Sequence, residues 1–345
     1  MSLTFKQLSA QLNLSQTTVS RALNGYPEVK EETRKRVLDA ATKLRYRPNV
    51  RAQRLAVGRA MAIGHVFPTS TQDERSNVVF ADFIAGAGEV YADHGYDMVL
   101  STVRDEDEIE TYRTLAQNGA VDGVIVHGPI PNDPRIALLH DLGIPFVVHG
   151  RASNVSTPYN WLDVNNRRAF QRATDFLLDL GHTRIALING SERMEFALRR
   201  RSGYLSALSA RGIAPDPALL HASLMTEPYG HAVTRDLLGL DDPPTAFIAS
   251  SIVPALGVRR ALEDRGFKMG RDVSVICFDD QLSYLPNGMG EPIFTAMRSS
   301  VMAAGRRAAE LLIAQIKNPG ADPVQELWEA ELVVGNSTGP AGETR

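Results

Sequence analysis

The chain has 345 residues, 43% of them hydrophobic, and a formal net charge of −3 at pH 7, so it is long enough for more than one domain and apolar enough for a large buried core. A single cysteine, Cys277, excludes intrachain disulfides and cysteine zinc clusters and points to a reducing compartment, with the cytoplasm as the expected location. The start is amphipathic and polar rather than signal-like and no apolar run reaches membrane-spanning length, so neither export nor membrane association is expected.

In chain order, Phe5, Leu8, Ala10 and Leu12 fall at roughly helical spacing, with Lys6, Gln7 and Gln11 on the wet side. Asn13 closes this helix and Ser15 opens the next as an N-cap. In the second helix Val19, Ala22 and Leu23 repeat at i, i+3 and i+4 and face inward, which leaves Gln16, Thr17, Ser20 and Arg21 outside. Short polar side chains and one guanidinium on a helix face suit base edges, glutamine for adenine and arginine for guanine. The pair reads as a helix-turn-helix, and double-stranded DNA is the partner it implies. A third helix follows from about Glu31 to Leu44, with Thr33, Val37, Ala40, Ala41 and Leu44 as its apolar stripe, ended by Tyr46 and Pro48.

The stretch NVRAQRLAVG after Pro48 is too short to hold a helix alone in water. It reads either as a hinge helix that forms against DNA, with Leu55 as a minor-groove wedge and its arginines near phosphates, or as a charged linker. Residues 1–60 hold 12 Lys+Arg against 4 Asp+Glu, a balance of +8, and the other 285 hold 25 against 36, or −11. Polyanion binding therefore belongs to a basic headpiece on an acidic body.

Beyond residue 60, apolar runs at 61–67, 97–102, 123–128, 145–150, 184–190, 245–250 and 272–278 alternate with helical stretches, which predicts an α/β body of parallel sheets with helices on both faces. That length is too great for one such sheet, so two lobes are expected, with TPYNWLDVNN (157–166) as one crossover and a second near 290–300. A last strand pair is expected in QELWEAELVVG. The expected organisation is a headpiece over 1–48, a hinge and linker over 49–60, a first lobe of 61–161 and 291–322, a second of 162–290 and 323–338, and a tail over 339–345. A small molecule would sit between the lobes at the carboxyl ends of the strands.

SQTTVSRALNG at 15–25, VKEETRKRVLDAATKLRYRPN at 29–49, LGHTRIALING at 180–190, GYLSAL at 203–208, ALGVRRALEDRGF at 255–267, DVSVICFDD at 272–280 and GRRAAELL at 305–312 carry a resemblance. In this ordered series the chain resembles the lac repressor/gal repressor family of bacterial transcription regulators over nearly its whole length. The resemblance implies a periplasmic-binding-protein-like body, a homodimer or pair of dimers on a pseudo-palindromic operator, a repressor's role, and a sugar-like effector that alters DNA affinity. The tail lacks a coiled-coil heptad, which favours the dimer.

By the same resemblance Gln16, Thr17 and Arg21 read bases, Leu55 enters the minor groove, and Thr4, Ser15, Thr18, Ser20, Asn24, Tyr46, Asn49, Arg51, Ala52 and Arg54 complete the DNA contacts. In the cleft, Arg200 and Asp279 would satisfy adjacent effector hydroxyls as donor and acceptor, and Phe80 falls where the family often places an aromatic contact. Alternatively, Arg200 is a solvated member of the run Arg199 to Arg201, and Asp279 an interlobe salt bridge. The chain departs from the family pattern at Ser250, Ser251 and Ile252, where Ala-Asn-Asp is usual, at Gly150 in place of an aspartate, and in a longer loop after Pro68. Ser251, His127, His149 and Arg151 are then the substitute pocket groups, with His127 and His149 alternatively quiet core residues at strand ends. The SSIVPALG and HGR variants resemble those of regulators beside α-glucoside or oligosaccharide transport operons.

No enzyme is expected. Asp279 and Asp280 are adjacent and do not face each other as a glycosidase pair would, IGHVFPTS lacks a dinucleotide fingerprint, and Cys277 lies inside an apolar strand. Neither a metal nor a cofactor is expected. The alternatives are a regulator of the same fold that answers to a nucleobase, and a sugar-binding transport protein, which would need an export signal and have no use for the headpiece.

Overall fold

The computed structural model describes residues 5–23, 26–44, 59–68, 78–278 and 281–342 and divides into two units, Met1–Ala60 and Met61–Arg345. The first unit packs helices Phe5–Leu12, Gln16–Leu23 and Glu31–Lys43 around Leu8, Leu12, Val19, Ala22, Val37 and Ala41. The turn is built by its residue types. Asn13 takes the left-handed conformation at φ 52° and ends the first helix, and Ser15 Oγ accepts the Thr18 amide at 3.0 Å to start the second.

Two expectations for this unit need correction. Ser9, not Ala10, takes the inward position beside Leu8, and its hydroxyl donates to the Phe5 carbonyl at 3.0 Å, so no polar group is buried unpaired. Leu44 is the C-cap of the third helix and is 36% exposed, outside the apolar stripe.

The second unit contains two six-stranded sheets. The first sheet takes β1 (Ala62–Pro68), β2 (Asp97–Val103), β3 (Gly123–His127), β4 (Phe146–His149) and β5 (Asn160–Val164), and the second takes β6 (Ile185–Asn189), β7 (Leu220–Ala222), β8 (Ala246–Ala249), β9 (Ser274–Phe278) and β10 (Thr295–Arg298). β11 (Gln325–Trp328) then adds to the first sheet and β12 (Glu331–Val333) to the second, giving the orders β11-β5-β4-β3-β1-β2 and β12-β10-β9-β8-β6-β7. All pairings are parallel except β10 with β12. In each lobe the order reverses beside the first strand, so the crevice opens outside the carboxyl ends of β1 and β3 in one and of β6 and β8 in the other.

These memberships move the lobe boundaries. All of β5 lies in the first lobe, β10 in the second, and β11 returns to the first, so the crossovers fall near residues 165, 299 and 329 rather than after 161, 290 and 322. The expected pair in QELWEAELVVG does not form: its halves pair with different sheets, β11 with β5 in parallel and β12 with β10 in antiparallel. β11 is specified by its partner, since the Trp161 amide donates to the Val324 carbonyl at 3.1 Å and the Asn165 amide to that of Trp328 at 2.7 Å. The expected headpiece end at 48 and hinge over 49–60 lie largely outside the described residues.

The first lobe closes over the returning helix Val301–Lys317 by a glycine contact with Val78–Asp93. A Cβ on Gly86 would stand 2.1 Å from the Met302 carbonyl oxygen, and one on Gly305 2.1 Å from that of Phe83. Neither obstacle is a side chain that could swing away. Gly305→Ala should therefore cost about 1–3 kcal/mol of overpacking, read as a lower calorimetric midpoint for the Met61–Arg345 unit. Gly290→Ala, with nothing within 4 Å of the added atom, should leave that midpoint unchanged.

Candidate functional site

On the second helix of the first unit Gln16, Thr17 and Arg21 are exposed, and Thr18 and Ser20 are half-buried. The inward turn of Val19 and Ala22 fixes which face this is. Ser15 and Thr18 are occupied with each other, their hydroxyls 2.8 Å apart, so part of their role is to set the start of the helix. Thr4, Asn24, Tyr46, Asn49, Arg51, Ala52, Arg54 and Leu55 lie outside the described residues, as does Asp279.

In the second unit a cleft of about 180 Å³ lies between the lobes, with Phe80, Phe83, His127, His149 and Arg151 on one wall and Phe196, Arg199, Arg200 and Phe278 on the other. Each wall follows from the sheets. His127 ends β3, His149 ends β4, and the parallel register places them side by side. His65, one strand over in β1, comes within 3.0 Å of His127 through its Nδ1 and within 3.1 Å of the Tyr91 hydroxyl through its Nε2. The His149 ring stacks on Phe83 with centroids 4.3 Å apart, and Phe80 meets His127 edge-on at 5.1 Å. Both readings of these histidines thus apply, as they line the cleft and also anchor the aromatic core beneath it.

Burial keeps the trio neutral. It pushes His65 down to about 3 and His149 to about 4, and His127 well below its ordinary value, with the neighbouring His65 and His149 adding to the effect. The second wall turns on Arg200, which is 5% exposed. Its Nε donates to Asn166 Oδ1 at 2.8 Å and its Nη1 to the Ser250 carbonyl at 2.7 Å. Phe278, Phe196 and Phe170 surround the guanidinium at 4.2, 4.8 and 5.1 Å from their ring centroids. Arg200 is therefore not a solvated member of its run. Successive positions on helix Glu195–Ala210 point apart, and the neighbours turn instead to Asp163 (Arg199) and Glu192 (Arg201).

Ser251 corrects another expectation. It is 1% exposed and its Oγ accepts the Val253 amide at 3.3 Å as the N-cap of helix Ile252–Asp264, so it starts a helix rather than lining the cleft. Ser250, directly after β8 and fully buried, acts behind the cleft wall, where its carbonyl accepts from Arg200.

Asp163 went unnoticed in the sequence. It sits at the end of β5, 5% exposed, and accepts from Arg151 Nε at 3.0 Å within its own lobe and from Arg199 Nη1 at 3.1 Å across the cleft. Burial raises its carboxyl above the ordinary carboxylate value while both arginines oppose the shift. Glu195, 4% exposed, pairs with Arg199 at 3.2 Å and accepts from Ser153 of the opposite lobe. The available signal was a carboxylate two residues before the pair Asn165 and Asn166, hidden because the segment read as a crossover rather than a strand.

The histidine cluster implies a pH dependence. The unfolded chain takes up protons near pH ~6.5, whereas in the folded protein His65 does so only at about 3, His149 at about 4 and His127 well below its ordinary value, so this contribution is full above about pH 6.5 and is lost as pH falls below it, at up to about 1.4 kcal/mol per pH unit for each histidine. Denaturant titrations of the wild type should show stability falling between pH 6.5 and 5, and His127→Gln should flatten that slope. An equal slope in the variant would mean that His127 is not held neutral.

Comparison with known proteins agrees with both units. Residues 10–49 match the family described as bacterial regulatory proteins, lacI family, and residues 174–338 match the periplasmic binding protein-like domain. The chain is 48% identical over 342 residues, 99% of its length and 96% of the relative's, to the HTH-type transcriptional regulator AglR of Rhizobium meliloti (strain 1021). Its fold matches that of the transcriptional regulator CelR–cellobiose complex at a TM-score of 0.71 with 29% identity, over 97% of this chain and 99% of that one. It also matches the lac repressor dimer bound to operator and the anti-inducer ONPF at a TM-score of 0.84, over 98% and 100% of the two chains, where 24% identity makes the likeness one of fold.

Proposed function

Because the chain belongs to the lacI family of bacterial regulatory proteins, we propose that it reads a pseudo-palindromic operator as a homodimer and represses a carbohydrate operon in answer to a neutral, sugar-like effector held between its lobes. It is a transcription regulator and not an enzyme. The place of action follows from the operator, since bacterial DNA lies in the cytoplasm.

One observation carries the effector's class: the cleft is polar, yet two of its three arginines are already held by carboxylates of the protein. Arg151 and Arg199 share Asp163, Arg199 also holds Glu195, and the histidines are neutral. An anionic effector would have to draw Arg151 or Arg199 away from Asp163 and Glu195 and so break buried pairs, while Arg200 is already engaged by Asn166 and the Ser250 carbonyl. A polyhydroxylated neutral molecule needs only hydrogen bonds and apolar faces, which neutral imidazoles, Asn166 and the phenylalanines supply. The cellobiose named with the structurally similar regulator supports the same class.

The switch is a population shift. The effector must bind more tightly to one arrangement of the lobes than to another, and DNA affinity follows that difference. The hinge stretch at 49–57, with Leu55, would carry the change to the minor groove.

Two measurements test this reading. In operator titrations Arg21→Ala should cost about 1–3 kcal/mol at the cognate base pair while nonspecific binding persists; unchanged sequence preference would remove Arg21 from base reading. A thermal-shift panel of neutral mono- and disaccharides should raise the midpoint of the wild type. Arg200→Lys, which keeps the charge but not the planar fork, should lose that rise and still bind operator. A panel without response would overturn the sugar assignment.

A further inference from the structure

Beside the inner cleft lies a second chamber of about 260 Å³, lined by the end of β1, the starts of helices Glu108–Gln117 and Pro134–Asp141 and loops of both lobes. Phe80, His127, Gly128 and Met194 line both chambers, so the two communicate. Each alone falls below the ~300 Å³ at which small-molecule sites begin, and only together do they pass it.

The outer chamber has a prepared wall. Arg135, 7% exposed, donates to Asp133 Oδ2 at 2.6 Å, to Glu108 Oε1 at 2.8 Å and to the Gly128 carbonyl at 3.2 Å. Asp133 in turn caps helix Pro134–Asp141 through the Arg135 amide. This buried triad fixes the Glu108 carboxylate at the chamber wall, next to Asp105. Phe67 meets Phe80 edge-on at 4.6 Å and supplies an apolar face. Ser191, Arg193 and Leu224 come from the opposite lobe. His127 Nδ1 is buried with no partner among the described residues, in the wall the chambers share. Two carboxylates and Asp133 against Arg135 and Arg193 leave the lining with one excess negative charge, which suits hydroxyl donors and disfavours a uronate or phosphate ester.

We propose that the outer chamber is a second sugar subsite, so that the effector is a neutral oligosaccharide of at least two rings, one in each chamber, bent past Phe80 and His127. This rests on the inner cleft holding a polyol. The ring in the outer chamber stacks on Phe67 and Phe80 and hydrogen-bonds to Glu108 from one lobe and to Ser191 and Arg193 from the other.

The test is calorimetry on the full-length protein with glucose and galactose against maltose, cellobiose, melibiose and lactose. At least one disaccharide should bind a hundredfold or more tighter than its component monosaccharides. Ile109→Trp fills the outer chamber from the first lobe and Leu224→Trp from the second. Each should reduce that disaccharide to the monosaccharide level and leave monosaccharide affinity within threefold, which also shows that the variant is folded. Monosaccharides that bind as tightly as disaccharides, or a disaccharide unaffected by both tryptophans, would overturn the outer subsite while the polyol reading stands. If no sugar of either size binds, the polyol reading falls and the outer subsite with it.

Discussion

The buried carboxylate of Asp163 is the interaction on which the cleft depends. Among the described residues it is the one group that pairs with a guanidinium from each lobe, Arg151 on its own side and Arg199 on the other, and it lies at the strand end from which the chain first crosses over. Its other oxygen accepts from Asn166 Nδ2 at 3.3 Å, and Asn166 Oδ1 holds Arg200 Nε. A single carboxylate therefore sets the positions of three cleft arginines, Arg151 and Arg199 directly and Arg200 through an amide. Removing it would leave Arg151 without its carboxylate and Arg199 with Glu195 alone; breaking a fully buried pair costs about 3–5 kcal/mol, and the part-exposed Arg151 lowers that figure here.

That arrangement explains how a site with so many ionisable groups can still select neutral molecules. Arg151, Arg199, Asp163 and Glu195 serve as fixed hydrogen-bonding groups whose charges cancel locally. The histidines are kept neutral by burial, and His127 Nδ1, with no partner among the described residues, is placed to meet a sugar hydroxyl. Aromatic rings from both lobes supply the apolar faces between these polar points. The polar groups occupy strand ends because backbone direction and register place them there, and the helices behind provide the packing that prevents them from relaxing.

Much of this organisation was legible in the sequence, for identifiable reasons. The helix-turn-helix declared itself because Asn13, Ser15 and the spacing of Val19 and Ala22 are local signals, and most of the parallel strands because runs such as GVIVHG are apolar on both faces. Phe80, His127, His149, Arg151 and Arg200 were chosen as effector residues, and they converge on one cleft. What failed was non-local. β5 reads as a linker because WLDVN mixes polar and apolar residues. β11 and β12 read as a hairpin because they are adjacent in sequence, although each has a better partner in a different sheet. Ser251 was taken for a ligand group because its neighbours diverge from the family pattern, yet a serine directly before an apolar helical run is an N-cap first. Asp163 was missed for the same reason as β5, since its importance arises only when Arg199 arrives from the other lobe.

The energetic demand on the switch explains why both walls must take part in recognition. The protein's own bonds already span the lobes, from the Glu195 amide to the Pro129 carbonyl at 3.0 Å and from the Ser283 amide to Asp82 at 2.9 Å, so one arrangement of the lobes has intrinsic support. Moving such an equilibrium from 1:99 to 99:1 takes about 5.5 kcal/mol of differential effector affinity. At about 0.5–1.5 kcal/mol net for each neutral hydrogen bond, that means several bonds made in one arrangement and not in the other. Contacts to a single lobe move with that lobe and contribute nothing to the difference. Only contacts that depend on the distance between His127 or Glu108 on one side and Arg200 or Ser191 on the other can bias the equilibrium. A longer ligand that touches both walls along its whole length multiplies such contacts, which is the physical advantage of a two-chambered cleft over a single pocket of the same chemistry.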